Sequence, residues 1–487
     1  MAPVPPSKAL SDLLAALPDA EVRGGASTPI GALCYRSVEA TPGSLFFCVP
    51  GGHVDGHDFA AEAVARGAST LIVERWLPID VVQVRVASVR EAMGPISASF
   101  YDRPGDRMTL VGVTGTSGKT TITYLLEAVF RAAGWTPGVI GTTGVRIGGR
   151  PLPIARTTPE APDLHRVLAA MAGTGVHAVA MEVSSHGLDQ HRVGGVRFAV
   201  AVFTNLSQDH LDYHGSMRDY LAAKARLFAP ELSDRAVVNR DNAEGRALAG
   251  RIPTVTYGIG PGADVRAADV RATSSGISFR VDGLDVRSSL HGRFNVENCL
   301  AALATARALG VDDEAAAAAI ASVRGVPGRV ESVEVGQDFL VIVDYAHKPD
   351  GVENVLRAAR PLAEGRVIVV LGCGGDRDRG KRPLMGRAAT VNADLSVITS
   401  DNPRNEDPLA IIAEIVPGAD EGGGVYVVEP DRRTAIRLAL AEARRGDVVV
   451  IAGKGHETYQ ELADRTIPFD DRRVAEEELR ALGKVRA

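Results

Sequence analysis

Short, nearly continuous apolar runs rich in valine recur along the chain at 108–114, 177–183, 197–204, 366–371, 394–399 and 447–452. A strand with one wet face would alternate polar and apolar residues. Unbroken runs of this length belong to parallel sheets buried on both faces. Helical spacing fills the intervals, at 120–133, 298–309 and 432–445, so the pattern predicts an α/β protein. The alanine run 315–319 reads as a good helix former, and no fixed-period repeat appears. Proline and glycine interrupt the pattern twice, in Phe100-Tyr101-Asp102-Arg103-Pro104-Gly105-Asp106-Arg107 and in Gly325-Val326-Pro327-Gly328-Arg329. Three domains are therefore expected, near 1–103, 104–326 and 327–487. The first is a smaller α/β unit, the second a mostly parallel sheet with helices on both faces, and the third a Rossmann-like α/β unit.

Polar clusters follow directly on the carboxyl ends of those apolar runs, at 114–120, 182–186, 204–210, 372–377, 400–404 and 453–457. Open α/β sheets bind ligands at that edge. Two such sets in two domains predict two sheets whose ligand edges face a common cleft.

Composition narrows the ligands. The 487 residues are 45% hydrophobic and 23% charged, which supports packed cores throughout and argues against extended disorder. The net charge of −6 is spread without long one-sign blocks, so no nucleic-acid groove and no polybasic membrane face is expected. Small anionic ligands must then meet local cations. Cys34, Cys48, Cys299 and Cys373 form no Cys-x-x-Cys pair, as expected of reduced thiols in the cytoplasm. The start Met-Ala-Pro-Val-Pro-Pro lacks a basic segment followed by an apolar stretch, so a cytoplasmic protein, expected to be a monomer, is predicted.

The most specific chemistry lies after the first of the long runs. Gly115-Thr116-Ser117-Gly118-Lys119-Thr120-Thr121 is a glycine-punctuated loop ending on Lys-Thr where a helix should begin. Gly115 and Gly118 free the backbone to turn its N–H groups toward an anion, Lys119 reaches outer phosphates, and Thr120 has the hydroxyl that a magnesium ion needs. ATP is the expected ligand. Val113 stands where the general phosphate-loop pattern has its first glycine, so the loop is a shortened form. Glu182 ends a strand as a lone acid, a costly position unless a cation or hydrogen bonds meet it, and a helix-capping acid is the other reading. Magnesium shared with Thr120 is the simplest cation. His210, beside Asp209, is either a second metal ligand or ordinary loop polarity. Lys224 sits among Leu221, Ala222, Ala223, Ala225, Leu227 and Phe228. On sequence alone it reads first as a snorkelling surface lysine, and only if desolvated as a group able to take up carbon dioxide and bind a cation as a carbamate.

The phosphate loop closely resembles that of the Mur ligases of peptidoglycan synthesis. So do Met181-Glu182-Val183-Ser184-Ser185-His186, Asn205-Leu206-Ser207-Gln208-Asp209-His210, Tyr220-Leu221-Ala222-Ala223-Lys224, Gly292-Arg293-Phe294-Asn295, Pro327-Gly328-Arg329, Asp344-Tyr345-Ala346-His347 and Gly372-Cys373-Gly374-Gly375-Asp376-Arg377. Asp401-Asn402-Pro403-Arg404 narrows the resemblance to the branch using meso-diaminopimelate. It implies that ATP phosphorylates the D-glutamate carboxylate of a UDP-N-acetylmuramoyl dipeptide and that the diaminopimelate amine displaces the phosphate. By the same resemblance Asn295, Arg329 and Asp344 serve adenine, phosphate and ribose, and Mg2+ is held by Thr120 and Glu182, and by His210 with carbamylated Lys224. Thr157, Thr158, Ser184, Gln190 and Arg192 match positions for the muramoyl dipeptide, and Ser37 and His53 those for the uridine end. The family usually has Asp-Ser-Arg around that serine, where this chain has Arg36-Ser37-Val38. Arg377, Asp401, Asn402, Pro403, Arg404, Gly453 and Glu457 would form the amino-acid pocket. Arg404 would fork onto the carboxylate that diaminopimelate has and lysine lacks, and Glu457 would face the distal ammonium.

A lysine-adding relative, a folylpolyglutamate-synthetase-like ligase and an ATP-gated binding module remain the competing readings. The string Asp401-Asn402-Pro403-Arg404 disfavours the first two, and the metal-suited pair Glu182 and His210 disfavours the third.

Overall fold

A computed structural model describes residues 7–52, 54–152, 156–273 and 276–484, and in them three principal sheets. His53 lies outside the described residues. The first sheet orders its strands Glu21–Arg23, Val82–Arg85, Ala68–Val73, Ser44–Phe47 and Ala32–Cys34. The last four run parallel and Glu21–Arg23 closes one edge antiparallel. Leu45, Phe47, Ile72 and Val84 bury one face of it against Leu10, Leu13 and the helix Val89–Phe100.

The second sheet has nine strands, ordered Arg150–Leu152, Gly144–Ile147, Pro137–Gly141, Ala178–Glu182, Thr109–Thr114, Phe198–Phe203, Ser233–Asn239, Thr254–Gly258 and Val265–Arg266. All pairs from Pro137–Gly141 onward are parallel, and the first two strands turn back antiparallel. Val111 is the centre of the register, facing Ala180 on one side and Val200 on the other. Its strand shows why the apolar run is continuous: Leu110 packs into the core on one face of the sheet, and Val111 and Val113 into the core on the other. Each fully buried aliphatic side chain of this kind contributes about 1.5–3 kcal/mol relative to exposure. The chain leaves this strand toward one edge and later crosses to the other, which opens a crevice at its carboxyl end.

The third sheet runs Glu331–Ser332, Leu340–Asp344, Val448–Ala452, Val367–Leu371, Leu395–Ile398 and Tyr426–Val428, parallel except for the first strand. Val367, Val369 and Leu371 fill one of its cores, and Ile368 and Val370 the other.

The expected helices form as Lys119–Ala132, Phe294–Ala308 and Arg432–Glu442. The second begins four residues before the expected start at 298, because Asn295 and Val296 are buried in its first turn. The third stops three residues short of 445, where Ala443 turns extended. A small antiparallel sheet, Ala268–Thr273, Gly276–Val281 and Leu284–Ser288, has no counterpart in the sequence reading. Its first strand is largely exposed and carries Asp269, Arg271 and Thr273, so no apolar run announces it. No helix among the described residues is long and apolar enough to cross a membrane. The four cysteines are buried and free.

Candidate active site

The strand Thr109–Thr114 runs through the loop 115–118 into the helix Lys119–Ala132. Gly115 has φ 141° and Gly118 φ 89°, both in the left-handed region, and a Cβ at either would meet Thr204 Oγ1 at 1.8 Å or Asn298 Oδ1 at 2.5 Å. Only glycine fits at these two positions. The neighbouring strand end clamps the loop. Thr116 N donates to Asn205 O at 2.9 Å, Ser117 N to Asn205 Oδ1 at 2.9 Å, and Thr204 Oγ1 to Ser117 O at 2.6 Å. The helix has no side-chain cap and no acid in its first turn, which leaves its amino end electropositive. Lys119 folds back over the loop, its Nζ donating to Gly115 O at 2.9 Å and Thr116 O at 3.0 Å. Burial brings its pKa down to about 8, and Lys348 pushes the same way while Glu182 and Asp209 oppose. Backbone N–H groups, the helix amino end and Lys119 thus gather positive charge at one point, as a phosphate seat requires.

Glu182 is 1% exposed at the end of the adjacent strand. Thr142 supplies its hydrogen bonds, from N to Oε1 at 2.9 Å and from Oγ1 to Oε2 at 3.0 Å. Glu182 therefore does not cap a helix. Among the described residues no group of three or more His, Cys, Asp or Glu is arranged to hold a metal. A cation at Glu182 would draw its other oxygens from Thr120, from phosphate and from water, which suits Mg2+. Thr120 Oγ1 meanwhile accepts from Arg329 Nη2 at 3.3 Å.

Lys224 is 1% exposed, so the snorkelling reading does not hold. The helix Met217–Ala225 turns it inward, where its Nζ donates to Gly115 O at 3.0 Å and lies 4.4 Å from the Tyr220 ring centre. Burial, with Lys119 and Lys348 nearby, pushes its ammonium well below the usual lysine range. Asp209 is the local counter-charge, 2.8 Å from Lys348 Nζ and 2.9 Å from His210 Nε2. Burial works against that carboxylate, yet Lys348 and His210 hold it well below the usual range. His210 adopts a left-handed backbone with φ 54°, and burial lowers its pKa.

A cavity of about 560 Å³ joins these groups to the third sheet, lined by Lys119, Thr120, Glu182 and His210 on one side and by Arg329 and Asp344 on the other. Asn295 lines the same space, as do Thr116, Ser117, Gly118 and Thr121 of the loop. Asp344, raised in pKa by burial, accepts Val330 N at 2.7 Å. Gly115 and Lys224 stand behind the lining.

The predicted dipeptide residues form a frame bonded to itself. Thr158 Oγ1 donates to Glu182 O at 3.0 Å and accepts from Ser184 N at 2.9 Å, while Ser184 Oγ accepts Gly187 N at 3.0 Å. Arg192 donates to Thr158 O at 3.1 Å and to Gln190 Oε1 at 2.6 Å, and its Nε lies 3.1 Å from Glu160. Thr157 and Ser184 face the cavity; Thr158, Gln190 and Arg192 do not line it. Ser37 sits apart on the first domain, donating to Glu62 Oε2 at 2.7 Å.

In the third domain Asn402 is fully engaged. Its Oδ1 accepts from Lys454 Nζ at 2.9 Å and from Glu461 N at 3.0 Å, and its Nδ2 donates to Glu457 Oε2 at 2.8 Å. Asp401 Oδ2 is buried without a hydrogen-bond partner, beside Gly453. Arg404, with φ 52°, donates from Nη1 to Gly375 O at 2.9 Å and lies with its Nε 2.8 Å from Glu461 Oε2. Arg377 bonds Asp376 O at 3.0 Å. Glu457 reaches a second cavity of about 540 Å³, shared with Thr157, Tyr345 and Tyr459. Arg377, Asp401, Asn402, Pro403 and Arg404 line neither of these two cavities.

Comparison with known proteins decides the family. The Mur ligase middle domain matches residues 113–306, the Mur ligase glutamate ligase domain residues 328–455, and the Mur ligase family catalytic domain residues 29–101. The UDP-N-acetylmuramoyl-L-alanyl-D-glutamate--2,6-diaminopimelate ligase of Geobacillus thermodenitrificans is 49% identical over 480 residues, covering 96% of this chain and 98% of that protein.

The chain belongs to the Mur ligase family.

The like-named ligase of Streptomyces avermitilis is 46% identical over 95% of this chain and 96% of its own. A solved structure of a ligase with that name superposes with a TM-score of 0.68 at 34% identity, over 97% of this chain and 99% of that one. MurF from Acinetobacter baumannii shares the fold at 20% identity, with a TM-score of 0.66 over 92% of this chain and 96% of that one.

Several residues of this Mur ligase site escaped the sequence reading. Lys348 reaches from the third domain to Asp209 and donates to Thr116 O at 3.2 Å, and Lys381 supports it by donating to His347 O at 3.0 Å. Lys454 is fully buried between Asn402 and Glu457. Lys348 follows the quoted Asp344-Tyr345-Ala346-His347 string by one residue, which was the available signal. Thr142 carried none, since nothing in its neighbourhood marks it as the partner of a residue forty positions away.

Proposed function

We propose that this Mur ligase adds meso-diaminopimelate to UDP-N-acetylmuramoyl-L-alanyl-D-glutamate with consumption of ATP, in the cytoplasm. The observation that carries this reading is the joint lining of one cavity by the phosphate loop and Glu182 from one sheet and by Arg329 and Asp344 from another. A ligase must gather nucleotide, acceptor carboxylate and amine in one closed space, and a cleft between two sheets provides it.

The loop and Lys119 hold the phosphates, with Asn295 toward adenine and Asp344 toward ribose. Arg329, already 3.3 Å from the Thr120 hydroxyl, ties the nucleotide to domain closure. Thr120 and Glu182 would hold one Mg2+, and His210 with a carbamate on Lys224 a second. Bound there, the cations supply charge neutralisation that lets the carboxylate approach ATP. Carbamylation suits Lys224, since its ammonium is crowded by Lys119 and Lys348 and its neutral amine is the nucleophile that carbon dioxide needs.

The D-glutamate carboxylate oxygen attacks the γ-phosphorus and ADP leaves. The diaminopimelate amine then attacks the acyl carbon, the carbon–oxygen bond breaks, and phosphate departs. Thr157 and Ser184 face the dipeptide, while Thr158, Gln190 and Arg192 hold that wall in shape. Ser37 serves the uridine end. Arg404 and Glu457 select the incoming amino acid, with Asp401, Asn402, Pro403, Arg377 and Gly453 shaping its seat.

ADP release tests the proposal. It should require both the UDP-dipeptide and an amino acid, with diaminopimelate preferred over lysine by 100-fold or more. Turnover with lysine as good as with diaminopimelate would favour a lysine-adding ligase, and slow ATP hydrolysis indifferent to both substrates a gated binding module.

A further inference from the structure

The Arg404 guanidinium is already paired. Glu461 ends the strand Tyr459–Glu461 of a two-stranded hairpin with Thr466–Pro468, and its Oε2 lies 2.8 Å from Arg404 Nε. The same residue is fastened to the 401–404 loop through its backbone: Glu461 N donates to Asn402 Oδ1 at 3.0 Å, and Arg404 N donates to Glu461 O at 3.1 Å. Two main-chain bonds thus hold the carboxylate against the guanidinium without help from the side chain. Gly375 O takes Nη1 on the opposite edge. The edge that a ligand carboxylate would grip through Nε is the one Glu461 covers. The pair is partly open to solvent, with side chains 22% and 37% exposed, so exchange of one carboxylate for another needs no refolding.

We propose that Glu461 is a specificity-determining residue whose carboxylate stands in for the second carboxylate of the incoming amino acid and must yield Arg404 to it. This deepens the reading of Arg404 as the seat for that carboxylate and rests on it. Two consequences follow from competition for one cation. Diaminopimelate binds more weakly than Arg404 alone would allow, because each binding event breaks an ion pair. Lysine leaves the pair intact, so Arg404 is never stranded and the penalty against lysine is smaller than an empty guanidinium would impose.

Removing the competitor therefore separates the two amino acids. Glu461→Gln keeps both backbone bonds and the shape of the side chain while losing its charge. The KM for diaminopimelate should fall about two- to fivefold with kcat unchanged. The inhibition constant of L-lysine, measured against diaminopimelate, should stay level or rise. Glu461→Ala should do the same. A purely structural role would raise KM or lower kcat, never lower KM alone. An unchanged or raised KM for diaminopimelate in a variant that melts like the parent, or an equal gain for lysine, overturns the inference. A crystal structure of the unmodified enzyme with diaminopimelate gives an independent reading: Glu461 must have left Arg404 Nε, and its retention there beside bound ligand overturns the inference too. If the unmodified enzyme fails to ligate diaminopimelate, the proposed function falls. If it ligates normally and Glu461 variants do not sharpen its choice, only the role of Glu461 falls.

Discussion

Lys224 combines near-complete burial, one carbonyl partner and two lysine neighbours, a setting that disfavours an ammonium. Lys224→Ala should lower kcat by at least about a hundredfold, as expected when a group supporting the transition-state charge is removed. Added short carboxylic acids should restore part of the rate. Undiminished turnover without rescue would remove the lysine from the chemistry. Lys348→Met should raise the KM for ATP about tenfold, since it strips a cation from Asp209 and from the phosphate loop together. At this scale the sequence was uneven. The glycines, Lys119 and Thr120 follow from chain geometry, whereas Lys224 was legible only through resemblance, because no spacing says which way an alanine-rich helix turns. Arg404 was expected to fork onto a ligand carboxylate, and nothing in the sequence showed that Glu461, fifty-seven positions away, pairs with it in the structure.

Elements position these residues, and two of them invite direct tests. Gly118 ends the loop at φ 89° against Asn298. Gly118→Ala should cost about 1–3 kcal/mol of stability and raise the KM for ATP more than tenfold, read by denaturant melts and initial rates. In the third domain Arg432 and Asp471 are both fully buried, 2.6 Å apart, and Arg432 also donates to Ser400 O and Ala452 O at 3.2 and 3.0 Å. One guanidinium thus ties the strand ends that lead into Asp401 and Gly453. Arg432→Met should destabilise by about 3–5 kcal/mol, because it leaves Asp471 charged and unpaired, and Arg432→Met with Asp471→Leu should recover part of that loss. The long apolar strands and the helix after the phosphate loop were readable because burial on both faces leaves an unbroken pattern. The Ala268–Thr273 sheet was not, since its first strand faces water.

Across the whole molecule, two sheets turn their carboxyl ends toward one shared cavity, joined by Lys348 to Asp209, by Ser207 Oγ to Asp350 Oδ2 at 2.6 Å, and by Arg329 to Thr120. The existence of a shared cleft was legible from polar clusters after apolar runs. Its contacts were not, because each pairs residues from different sheets. His456 lies at this junction, and burial, aided by Arg329 and Arg472, brings its pKa down to about 4. The unfolded chain takes up the proton first, near pH 6.5, so this contribution to stability is complete above about 6.5 and is lost as pH falls toward 4. Melting temperature should decline over that window, and less steeply in His456→Gln. The central claim is that the two sheets bring ATP and a carboxylate together to make an acyl phosphate. Transfer of oxygen tests it most directly. With both oxygens of the D-glutamate side-chain carboxylate labelled with 18O, phosphate released during ligation to diaminopimelate should carry one label, seen as an isotope shift in its 31P resonance. Unlabelled phosphate, with one label kept in the new amide and the other released to water, would contradict the account.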